Sequence, residues 1–221
     1  MPIRASLLSE IQSEIAAIGT SNLSSSSAVD NIYEVYLLSL ILRAVSNEGG
    51  TSTFENIQGG GSLFFRSSPG YINSIVNNYS YSEIIFPGKP ALEAHVSIRC
   101  VGHSLVPHEC DICVLLKSEA ELCRLSSDRV APRSSKIIIS VEAKYYTTSL
   151  GLHLGRSFLG LTADFSADKT IFVSNTNSRS IEKLLTHKKK LWEHNIVPTN
   201  TNDVNRLVSI FQTAFKDFKA K

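Results

Sequence analysis

The chain is 221 residues long, 43% hydrophobic and 19% charged, which suits one domain with a packed core and excludes a disordered tail. Its 22 basic against 20 acidic side chains give a formal charge of +2; that excludes a protein coating nucleic acid by bulk charge, but not one gripping it in a single cleft. Ser, Glu and Gln interrupt the N-terminal segment before an apolar run reaches signal length, and no stretch is apolar enough for a membrane span. A soluble, cytoplasmic protein is therefore expected, with reduced thiols at Cys100, Cys110, Cys113 and Cys123.

Ile3, Leu7, Leu8, Ile11, Ile15 and Ile18 recur at helical spacing and predict an amphipathic helix over 3–18, stopped by Gly19. A serine run, Ser24 to Ser27, leads to Ser27 and Asp30, spaced as a capping box for a second helix over about 28–46. Segment 51–90 reads weakly: Leu63-Phe64-Phe65 suggests a short strand and Tyr71 to Val76 a short helix. After Pro90, β-branched runs and alternation predict strands at Leu92 to Val101, Glu109 to Leu116 and Lys136 to Tyr146, the last two joined by a polar connection over 117–135. A helix over about 149–164, a strand at Thr170 to Ser174 and helices over about 178–194 and 202–219 complete the chain. Several strands before the first crossover helix predict a mixed sheet with helices on both faces, in one α/β domain without internal repeats.

Two of these apolar strands carry charge. By strand alternation Glu109, Asp111 and Cys113 share one face, and so do Ser140, Glu142 and Lys144 on the next strand. A lone buried carboxylate costs several kcal/mol unless it is paired or bound to a cation. A hard divalent cation answers that need, because Mg²⁺ takes one or two carboxylates together with waters and substrate phosphate. Lys144, two positions after Glu142, is then placed to hold the attacking water and offset phosphate charge.

Asp111 followed by Glu142-Ala143-Lys144 at the end of an apolar strand resembles the PD-(D/E)XK nuclease superfamily, which includes restriction endonucleases. The resemblance runs from the helix at 28–46 to the strand near 170 and implies the αβββαβ restriction-endonuclease-like core, with extra N- and C-terminal helices. It implies that Asp111, Glu142 and the Ala143 backbone carbonyl bind Mg²⁺, with Mn²⁺ able to substitute, and that Lys144 assists the water. Glu34, an acidic residue within an apolar helix, matches the glutamate many members carry before the sheet, and Arg156 and His153 match polar positions on the following helix. The activity implied is endonucleolytic hydrolysis of DNA, leaving 5′-phosphates, by a homodimer in a restriction or anti-phage setting. RNA stays open as a substrate, as does an activating or targeting partner. Pro107 stands four residues before Asp111, and 31 positions separate Asp111 from Glu142, which asks for a long connection.

Simpler readings stand beside these. Asp111, Glu142 and Lys144 could form a cross-strand salt bridge; Glu34 could be solvated or paired with Arg43; Arg156, His153 and the run His187-Lys188-Lys189-Lys190 could be ordinary helix surface. Glu109 and His108 are expected to line the cleft. The Cys/His group at Cys100, His103, His108, Cys110 and Cys113 invites zinc. Cys110 and Cys113 lie three apart on a strand, however, and are expected to diverge, so zinc is not expected. The resemblance implies no iron–sulfur cluster either, because members that hold one bracket the core with four cysteines, whereas here all four precede Glu142 inside it. The alternative from another class is a non-catalytic nucleic-acid-binding or assembly protein of the same fold.

Overall fold

The computed structural model describes residues 2–14 and 21–221; Ile15 and Ile18, expected to continue the first helix, lie outside them. The elements are α1 (Pro2–Glu14), α2 (Val29–Asn47), β1 (Thr51–Asn56), β2 (Ser80–Ile85), β3 (Leu92–Val101), β4 (Pro107–Leu116), α3 (Lys117–Leu125), β5 (Ile137–Lys144), α4 (Leu152–Asp164), β6 (Lys169–Ser174), α5 (Arg179–His187), β7 (Leu191–Glu193) and α6 (Thr201–Ala220). The seven strands form one open sheet in sequential order. Strands β1 to β5 pair antiparallel, whereas β5, β6 and β7 run parallel. Parallel neighbours need long crossovers, and α4 and α5 supply them.

Helices cover both faces of the mixed sheet. On one side Leu7 and Ile11 of α1, most of α2, and Phe211 and Phe215 of α6 close over Val96, Ile112, Val114, Val141 and Ile171. Enclosure between two helices and the sheet explains why α2 is apolar nearly all round, with twelve buried residues in nineteen. On the other side Ala120 and Cys123 of α3 cover Ile98, Cys100, Cys110, Cys113 and Leu115. Phe158 of α4 and Ile181 and Leu185 of α5 cover Phe172.

Several local expectations change. The Ser27–Asp30 capping box does not form: the residue preceding α2 is Ala28, without a side-chain cap, and Ser27 Oγ instead accepts the Ser24 N–H. Segment 51–90 contributes β1 and β2, while Leu63 to Phe65 joins no strand and residues 71–76 form no helix, only a turn at Ile72 and Asn73. The connection after β4 holds α3, whose Glu119 carboxylate accepts from the Arg133 backbone N–H and guanidinium and so folds the remaining loop back. The helix expected over 178–194 ends at His187. Lys189 takes a left-handed φ of 52°, the Lys190 N–H reaches the Leu185 carbonyl, and the chain turns into β7. That is a Schellman-type stop; Leu191 and Trp192 then pair beside Ile171 and Phe172, so their apolar character belongs to a strand.

The most consequential departure is in β3 and β4. Val96 and Ile98 pack in different clusters although they are two residues apart, and so do Ile112 and Cys110. The register pairs Val96 with Ile112 and Ile98 with Cys110, so both strands change phase at the same level, at Ser97 and Asp111. Ser97 takes a φ of 51° to do so. Strict alternation therefore fails here: Cys113 sits on the other side from Asp111, and Cys110 and Cys113, expected to diverge, converge with Cys100.

Candidate active site

Pairing between β4 and β5 begins at Ile112 and Val141. Beyond that level Asp111 reaches across to β5, its Oδ2 accepting the Ala143 backbone N–H at 2.7 Å, so a side chain takes over a bond that the strand ladder would otherwise supply. The same oxygen lies 3.2 Å from Lys144 Nζ, and Lys144 Nζ lies 2.8 Å from Glu142 Oε1. One ammonium thus sits between two carboxylates of adjacent strands. Across the opening, α2 contributes Glu34, held by the Ser97 hydroxyl, which donates to Glu34 Oε2 at 2.8 Å. The left-handed turn at Ser97 accordingly serves the site as well as the sheet.

These residues line a cleft of about 460 Å³ with Asp30, Tyr33, Glu109, Tyr145 and Tyr146. Among the described residues, five that line it are carboxylates and Lys144 alone is cationic. Charge is therefore unbalanced, and the cleft favours added protons or a cation. Burial raises Glu34 to about 8, helped by the Asp111 charge, and raises Glu142 to about 7 for the same two reasons. Burial also raises Asp111, against the pull of Lys144 and the Ala143 N–H, and raises Glu109 with Asp111 adding to the effect. Burial works against the Lys144 charge, yet Asp111 and Glu142 outweigh it and hold its proton above the ordinary lysine range.

The carboxylate donors are Asp111 and Glu142, with Glu34 opposite and Ala143 in the cleft lining between the strands' charged groups. Carboxylate oxygens are the donors that hard divalent cations prefer. Fit rests on the charge imbalance and on Lys144 already seated between the two carboxylates.

The sequence-derived residues Asp111, Glu142, Lys144, Glu34 and Glu109 come together in this cleft. Arg156 and His153 lie exposed on α4 and are not among its lining residues, and His108 turns away to Asp164, with Nε2 2.6 Å from Oδ2. Arg43 pairs with Glu10 and Glu14 of α1, not with Glu34. Asp30, Tyr145 and Tyr146 of the lining escaped sequence reading, as did Ser97 and Tyr33. Ser97 holds Glu34 through a left-handed backbone that nothing in Val96-Ser97-Ile98 announces. Tyr33 is buried at the cleft wall, its hydroxyl without a hydrogen-bond partner among the described residues; its place beside Glu34 on a buried helix was the available signal. Comparison with protein-family models, curated proteins and solved structures returns no match to the chain, and no described helix is long and apolar enough to cross a membrane.

Proposed function

We propose that the chain is a metal-dependent endonuclease of the PD-(D/E)XK, restriction-endonuclease-like kind, hydrolysing phosphodiester bonds of DNA. The observation that carries this reading is the Lys144 ammonium lodged between Asp111 and Glu142 in an otherwise acidic cleft. A salt bridge alone would need one carboxylate, and a cleft with five is poorly built for stability.

In this reading Asp111, Glu142 and the Ala143 carbonyl hold Mg²⁺ or Mn²⁺. When bound, such an ion supplies Lewis-acid polarisation of a phosphoryl oxygen and draws a polyanion into a cleft that would otherwise repel it. Lys144 orients the attacking water and neutralises charge that develops on the phosphoryl oxygens. Water adds to phosphorus as the bond to the 3′ oxygen breaks, which leaves a 5′-phosphate. Glu34, held by Ser97, is the auxiliary carboxylate on the opposite wall, accepting a proton or helping to fix the water. Glu109 adds to the negative field that selects a cation. A homodimer cutting both strands, a defence role and a cytoplasmic setting accompany this proposal.

Incubation of supercoiled plasmid with the protein in Mg²⁺, Mn²⁺ or EDTA tests it. Nicked or linear product is expected with either metal and none with EDTA, with ends that a ligase can rejoin without prior phosphorylation. Intact plasmid under every metal condition contradicts the reading and favours a non-catalytic nucleic-acid-binding protein.

A further inference from the structure

The opposite side of the same strands carries a second cluster of reactive groups. Cys100 of β3 and Cys110 and Cys113 of β4 bring three sulfurs within 4.8 Å of one another, and the Cys100 and Cys113 sulfurs are 4.0 Å apart. All three are reduced and no more than 2% exposed. We infer that Cys100, Cys110 and Cys113 form a three-thiolate site for one thiophilic d¹⁰ cation, of the Zn²⁺ or Cu⁺ kind.

Geometry supports this first. Sulfur binds zinc at about 2.3 Å, so sulfurs sharing one cation stand roughly 3.8–4.0 Å apart, from tetrahedral to trigonal arrangements. The Cys100–Cys113 pair already has that spacing, and the Cys110 sulfur lies within 4.8 Å of both. Cu⁺ is satisfied by three thiolates. Zn²⁺ requires a fourth donor, and Ser140 Oγ lies 3.1 Å from Cys110 Sγ, while Cys123 of α3 belongs to the same buried cluster.

The local backbone supports it second. In uninterrupted strands Cys110 would face away from Cys113. The paired change of phase at Ser97 and Asp111 brings it to the same side. The surroundings support it third: Ile98, Leu115, Ile137 and Phe165 enclose the sulfurs in an apolar, water-excluding wall. Soft ligands in such a wall discriminate against Mg²⁺, which surrenders its waters reluctantly. The site therefore takes a different ion from the carboxylate cleft, and its occupancy is independent of the nuclease proposal. Binding replaces each S–H bond by a sulfur–metal bond and sends the proton to solvent. Because Cys110 adjoins Asp111, a filled site would also brace the strand break that presents Asp111 to the cleft.

Full-length reduced protein, freed of metal under denaturing chelation and refolded, would be equilibrated separately with Zn²⁺, Cu⁺ and Co²⁺, the last as a spectroscopic stand-in for zinc. One equivalent per chain, a rise in Tm and, with Co²⁺, a near-ultraviolet thiolate charge-transfer band are expected. Uptake of Zn²⁺ with a tetrahedral Co²⁺ spectrum identifies the zinc form; uptake of Cu⁺ alone identifies the three-coordinate form. Cys113→Ala, which keeps the core apolar, should weaken affinity beyond the roughly 10–100-fold that outer-shell changes cost. Folded wild type that takes up none of the three ions overturns the proposal, as does unchanged affinity in a folded Cys113→Ala. Plasmid cleavage is not part of this readout, so failure here leaves the carboxylate site untouched.

Discussion

Glu34 spends neutral pH in a place hostile to its charge, because burial and the Asp111 carboxylate together raise its pKa to about 8. In the unfolded chain an ordinary glutamate loses its proton near pH 4.5. Between those values the folded state keeps a proton that the unfolded state has released, so stability falls as pH rises, by up to about 1.4 kcal/mol per pH unit for one proton. Glu142, raised to about 7, contributes over the lower part of the same window. Thermal melts of metal-free protein should therefore show Tm falling from pH 5 to pH 8. Glu34→Gln should flatten that fall, and Mg²⁺ should offset it most at the alkaline end. A Tm that rises with pH in metal-free protein would show that these carboxylates are not crowded as described. Ser97 gives a second residue-scale prediction. Its φ of 51° is costly for a β-branched side chain, so Ser97→Val should cost about 2 kcal/mol or more in urea melts. Ser97→Gly should stay within about 1 kcal/mol, relief of strain offsetting the lost bond to Glu34. Equal losses in both would mean that the hydroxyl, not the backbone, is what matters there.

At the scale of elements, strands β3 to β6 and helices α2, α4 and α6 were legible because each carries enough apolar or β-branched residues in one run to mark it, even where β3 and β4 change phase. The misread elements have separate causes. β7 is three residues long, and Leu191 and Trp192 extend the apolar spacing of α5 until a backbone turn at Lys189 ends it. β1 is largely exposed and polar, so its strand character comes from pairing with β2, a tertiary fact. Helix α3 was hidden because only Glu119, Ala120 and Cys123 are buried, too few to mark a face. The stop at Lys189 is testable: Lys189→Gly should raise stability by about 0.5–1 kcal/mol, since glycine enters the left-handed region without penalty. A loss instead would place the end of α5 elsewhere.

At the scale of the whole molecule, two independent needs meet in one sheet. The residues of the cleft were readable as a set because carboxylates are rare inside apolar strands; their arrangement was not. Neither the opening between β4 and β5 nor the shared change of phase at Ser97 and Asp111 follows from alternation, which placed Cys113 beside Asp111 and separated it from Cys110. The frame around this cleft depends on α6 closing over α2 and the sheet, with Phe215 fully buried and its ring 5.3 Å from Phe86. Phe215→Ala should cost about 3–5 kcal/mol in denaturant melts while leaving the metal requirement of any cleavage unchanged below the transition. A loss under 1 kcal/mol would mean that α6 is not integral to the core.

The measurement that reaches the central claim most directly is plasmid cleavage by wild type and Lys144→Ala side by side, in Mg²⁺, at matched folded concentration. Lys144 is the group seated between Asp111 and Glu142. Its loss should reduce the rate by at least about 100-fold, the range expected for a positioned charge or proton-transfer group. Wild-type activity that vanishes in the variant supports a catalytic centre at these three residues. Cleavage that persists undiminished in Lys144→Ala contradicts it and would assign the chemistry to another part of the molecule.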